Sequence, residues 1–135
     1  MKKLILLLLL IATSSTLVAQ EKQAEHLLDG TSMKYYYQTG MAIHLELYDG
    51  KLKYKWIAGP RKGKGNQDLA YKSRKIGDKM YVISWLEESH PDYMTLIFNF
   101  NENVMYSSGI LGFGSKDQFT VFDGGIIEDL TLVVK

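Results

Sequence analysis

The stretch MAIHLELYDGKLKYKWI, residues 41–57, constrains the fold more than any other part of the chain. Met41, Ile43, Leu45 and Leu47 share one face of an extended backbone, and His44 and Glu46 take the other. After the turn, Leu52, Tyr54 and Trp56 point one way while Lys51, Lys53 and Lys55 point the other. A period of two with one polar face belongs to a strand buried on one side. Asp49-Gly50 between the runs is a two-residue hairpin signal, because both positions tolerate positive φ.

The same rhythm predicts strands over 32–38, 67–75, 79–87, 92–100, 103–111, 117–122 and 126–134. Gly77-Asp78, Asn101-Glu102-Asn103 and Asp123-Gly124-Gly125 read as turns between them. One short helix is expected over 21–28, closed by Asp29-Gly30. Eight or nine short strands with no long helix between them exclude parallel βαβ folds. They leave an antiparallel up-and-down barrel or a sandwich. The barrel is the expected architecture, and at about eight strands it can enclose one small ligand.

The first 19 residues, MKKLILLLLLIATSSTLVA, combine a basic start, an apolar run and a small-residue tail, the layout of a secretory signal peptide. The apolar run falls short of the ~20 residues that span a bilayer. Cleavage near Ala19 is expected, giving an exported chain with no membrane attachment and one domain over 20–135. Losing Lys2 and Lys3 leaves 14 basic residues against 15 acidic, so no broad charge favours nucleic acid. Without cysteine the core carries the fold alone, although exported domains of this size often use disulfides.

His26, His44 and His90 lack metal-ligand spacing, so no metal is expected. GPRKGKGN, residues 59–66, is glycine-rich and basic, but it lacks the GxxxxGK[ST] pattern of a phosphate-binding loop. It reads as a rim loop from which Arg61 reaches over a barrel mouth. In SMKYYYQTG, Tyr35 and Tyr37 share a face and can donate to one ligand oxygen, although β-propensity accounts for tyrosines here as well. Glu87 follows Tyr81, Ile83 and Trp85 at alternate positions. Either the strand has reached solvent by then, or the carboxyl faces an aromatic pocket; composition alone favours solvent. A one-residue bulge would exchange Glu87 and Glu88.

YYYQTG, WIAGPRKG, YVISWLEE, DYMTLIFNF and VMYSSGILGFG, in this order, resemble the MoaF-like proteins across roughly residues 30–127. That family is similar to the phenolic acid decarboxylases, and both are calycin-type, lipocalin-like barrels. The resemblance implies such a barrel here, with no cofactor. The Y-x-Y and Ser-Trp-x-Glu patterns of the decarboxylases resemble Tyr35 with Tyr37, and Ser84, Trp85 and Glu87; Arg61 corresponds loosely to their arginine. In those enzymes the tyrosines hold the substrate carboxylate and the glutamate takes part in proton transfer, which turns Glu87 inward here.

The resulting expectation is an exported barrel that takes a small amphipathic or aromatic ligand. Glu87, Tyr35, Tyr37 and Arg61 supply the polar or catalytic contacts. Ile43, Leu45, Tyr54, Trp56, Ile83 and Trp85 supply the wall, with Met41 and Leu52 behind it. The alternative is a cofactor-free lyase that decarboxylates a hydroxycinnamic-type acid. The oligomeric state is left open, a homodimer included.

Overall fold

The structure, a computed structural model, describes residues 25–135. The expected signal peptide and its cleavage site lie outside the described residues. Eight strands form one closed antiparallel barrel in sequence order. They are β1 (Ser32–Tyr37), β2 (Ala42–Tyr48), β3 (Lys51–Ala58), β4 (Gly65–Gly77), β5 (Met80–Glu87), β6 (Asp92–Asn99), β7 (Val104–Leu111) and β8 (Phe119–Thr131). β8 pairs with β1 and closes the ring, so no open sheet edge remains.

The local chemistry follows the expected pattern where turn and alternation agree. Asp49 and Gly50 have φ of 47° and 73°, and they join β2 to β3 as a tight hairpin. Inward residues of the strands, such as Met33, Leu45, Leu52, Ile83, Leu96 and Phe98, pack into one core. Lys51 and Lys55 remain on the outer wall.

In an up-and-down barrel, alternate turns gather at opposite ends. The turn after β2 lies at the end closed by residues 27–31. There Leu28 is fully buried, and the Gly30 N–H donates to the Leu47 carbonyl. The β1–β2, β3–β4, β5–β6 and β7–β8 connections surround the other end, which opens into a cavity.

Two expectations are corrected. The helix over 21–28 is absent from its described part: residues 25–30 form a bend and turns, and residues 21–24 lie outside the described residues. The segment is shorter than a self-sustaining helix. Its backbone instead bonds across the barrel end, with the Ser73 N–H donating to the Glu25 carbonyl and the Leu27 N–H donating to Ser73 Oγ.

The second correction concerns the runs at 117–122 and 126–134, which form the single strand β8, so the count is eight. Asp123-Gly124-Gly125 is no turn. A Cβ on Gly125 would lie 2.5 Å from the Tyr36 carbonyl oxygen, so glycine serves close backbone approach between β8 and β1.

Candidate functional site

The inward face of β5 runs Tyr81, Ile83, Trp85, Glu87 without interruption, and Glu87 is only 5% exposed. No bulge separates β5 from β6, where Trp85 faces Met94 and Glu87 faces Asp92 in register. Glu88 is exposed. A carboxylate therefore occupies the last inward position of a strand that is otherwise apolar on that face.

Two side chains meet it from the neighbouring hairpin. Tyr54 Oη donates to Glu87, 3.0 and 3.1 Å from its two carboxylate oxygens, and Asn66 Nδ2 donates to Oε1 at 2.7 Å. Tyr54 and Asn66 are register partners across β3 and β4. Their pairing depends on two backbone features. Gly65 passes so close to β3 that a Cβ would sit 2.1 Å from the Tyr54 carbonyl oxygen. β4 also carries one extra residue between the pairs Leu52↔Leu69 and Tyr54↔Asn66, beside Asp68 at φ 58°. That bulge reverses the alternation, so Asn66 turns to the same side as Leu69 and Tyr71.

Glu87 and Tyr54 border a predominantly apolar cavity of about 200 Å³ at the open end. Its aromatic wall comprises Tyr35, Tyr37, Tyr54, Trp56, Trp85 and Phe119. Tyr35 and Tyr37 meet edge to face, their ring centres 5.4 Å apart. Burial pushes the Tyr35 phenol well above its ordinary value, and the adjacent Tyr37 adds to this. Burial also raises Tyr37. The Tyr54 phenol is raised first by burial and then by the carboxylate of Glu87. All three phenols therefore remain protonated donors near neutral pH.

Arg61 borders the mouth from the exposed 59–64 loop, its guanidinium 5.8 Å from the Trp56 ring centre. Asp92 and Asp123 complete the polar lining. Asp92 Oδ1 accepts from the Gly112 N–H at 2.7 Å, which ties the β7–β8 loop to the rim. Asp123 Oδ1 accepts from the Gly124 N–H at 2.8 Å.

Of the residues singled out in the sequence, Tyr35, Tyr37, Ile43, Tyr54, Trp56, Arg61, Trp85 and Glu87 converge on this cavity, as does Met41. Leu45, Leu52 and Ile83 do not border it; they pack in the core nearer the closed end. Sequence reasoning missed Asn66, Asp92 and Asp123. Asn66 ends the glycine-rich 59–66 stretch that reads as a loop, and the Asn-Gln-Asp run after Gly65 is the available sign of a bulge. Asp123 reads in the sequence as the first residue of the Asp123-Gly124-Gly125 turn signal. Among the described residues, no group of three His, Asp or Glu side chains is placed to hold a metal ion.

No curated protein matches the chain. Among solved structures, one described as a putative beta-lactamase from Burkholderia vietnamiensis superposes with a TM-score of 0.63 at 16% identity, covering 78% of this chain and 94% of that one. At that identity the likeness is one of fold. The MoaF-like family model matches residues 29–126, from the turn that plugs the closed end through most of β8. The chain belongs to the MoaF-like family.

Proposed function

We propose that this barrel is an exported binding protein whose cavity takes one small aromatic or amphipathic molecule. The carrying observation is the combination of an aromatic wall with a buried, hydrogen-bonded carboxylate at its edge. Such a site gains affinity by burying apolar surface and fixes orientation through a few polar groups. About 200 Å³ lies below the ~300–1,000 Å³ of typical drug-sized pockets, which limits the occupant to about one ring and a short chain. Export rests on the leader-like first 19 residues; N-terminal sequencing of the secreted protein should begin at or near Gln20.

Both tryptophans of the chain, Trp56 and Trp85, border the cavity, so intrinsic tryptophan emission reports on this site alone. Titration with a panel of single-ring aromatics should give a saturable emission change, reduced for several ligands by Glu87→Gln. A flat response across the panel at millimolar concentration would overturn the binding reading.

A second reading has its own support, because Glu87, Tyr35 and Tyr37 share one cavity, as a phenolic-acid-decarboxylase-like lyase requires. In that reaction the phenols hold the substrate carboxylate. Glu87, after taking up a proton from solvent, delivers it to the carbon beside that carboxylate while the para-hydroxyl loses its proton to give a quinone methide. Loss of CO2 then returns an electron pair to the ring and leaves a vinylphenolate, which regains a proton from water. An absorbance time course with p-coumarate, ferulate and caffeate tests it. Loss of the cinnamate band that Glu87→Gln abolishes would favour the lyase; an unchanged spectrum at high enzyme concentration would remove it.

A further inference from the structure

The charge on the cavity wall narrows the ligand class. Three carboxylates border the cavity, those of Glu87, Asp92 and Asp123, against one guanidinium, that of Arg61. Among the described residues none of the three has a lysine, arginine or histidine partner within 4 Å. Their polar contacts are neutral: Tyr54 and Asn66 on Glu87, the Gly112 N–H on Asp92, and Thr39 Oγ1 and the Gly124 N–H on Asp123. Arg61 is exposed on the rim loop and lies over Trp56, so water screens it more than buried Glu87 and the half-buried Asp92 and Asp123.

A second observation comes from Glu87 itself, which has capacity left, since a carboxylate offers about four acceptor positions and Tyr54 and Asn66 do not fill them.

We infer that the ligand is a small aromatic cation, an ammonium compound. This rests on the binding reading above and specifies the occupant of the same cavity. The ammonium group lies among the three carboxylates and against the faces of the aromatic rings, which attract cations. An anionic ligand would instead bring a fourth negative charge to the wall, against a single screened guanidinium.

Three compounds with the same ring and hydroxyl isolate the charge: 2-amino-1-phenylethanol (cation), 1-phenyl-1,2-ethanediol (neutral) and mandelate (anion). Calorimetric titration at pH 7 should place the ammonium about tenfold tighter than the diol and further still above mandelate. Glu87→Gln and Asp123→Asn should each weaken the ammonium several-fold and leave the diol within about twofold.

Mandelate or the diol binding as tightly as the ammonium would overturn the inference and leave the binding reading standing. Ammonium binding unchanged in both carboxylate variants would also overturn it. Failure of all three compounds and of the aromatic panel would remove the inference together with the binding reading.

Discussion

At the closed end of the barrel Tyr71 donates to Asp29; at the open end Tyr54 donates to Glu87. Each pair joins a strand phenol to the carboxylate of a buried residue. Their surroundings differ. Asp29 also accepts from the Gly50 N–H at 3.0 and 3.1 Å and meets Lys135 Nζ at 3.4 Å. Its contacts tie the plug, the β2–β3 turn, β4 and the C-terminus together. Glu87 has neutral partners from a single hairpin and borders a cavity. The same chemical pair thus serves as a fastener where protein satisfies the carboxylate, and as a site where room is left for something else.

Removing the fastener should have the largest effect on stability. Asp29→Ala leaves the Tyr71 hydroxyl and the Gly50 N–H without their acceptor, and about 3 kcal/mol of loss is expected in a urea unfolding series. A loss under about 1 kcal/mol would break the comparison.

The same carboxylate should give stability a pH dependence. Burial opposes ionisation of Asp29, but hydrogen bonds from Tyr71, Gly50 and Lys135 outweigh it, and its value falls below the ordinary 3.8. Because the folded-state value is depressed, the contribution is complete above the unfolded value and is lost as pH falls through the folded one. Asp29→Asn should therefore be less stable than the parent at pH 7, and the gap should narrow as pH falls below 3.8.

The open end should respond more mildly. Asn66→Ala removes one donor to Glu87 and should cost about 1 kcal/mol in the same unfolding series. Glu87→Gln keeps an acceptor for Tyr54 and Asn66, so its stability should change by less than about 1 kcal/mol while ligand affinity drops. Glu88→Gln, one residue on and exposed, should shift stability by no more than about 0.5 kcal/mol and leave binding unchanged.

Much of this arrangement is legible in the sequence because a strand has a period of two. Alternation from Tyr81 through Glu87 was enough to show that Glu87 follows the aromatic face, and the family resemblance turned that face inward. Alternation reports a side and says nothing of height along the barrel, which depends on strand tilt and stagger. Leu45 and Ile83 therefore read like Ile43 and Trp85, although they pack nearer the closed end.

Where the backbone breaks its period, the reading failed. Asn66 reaches Glu87 only through the bulge at Asp68. The sequence divides β8 because Asp123-Gly124-Gly125 resembles a turn. Short-range chemistry cannot distinguish a glycine needed for a turn from one needed for close strand approach.

The most direct measurement is a two-dimensional NMR titration of the backbone amides and tryptophan indole N–H groups, using whichever of the ammonium and diol probes binds tighter. A ligand in the open end should shift the amides of Tyr54, Trp56, Asn66 and Glu87 and the Trp85 indole N–H, leaving Gly50 and Tyr71 in place. Shifts confined to the Gly50 and Tyr71 end, or none at saturating probe, would contradict a ligand site built around Glu87.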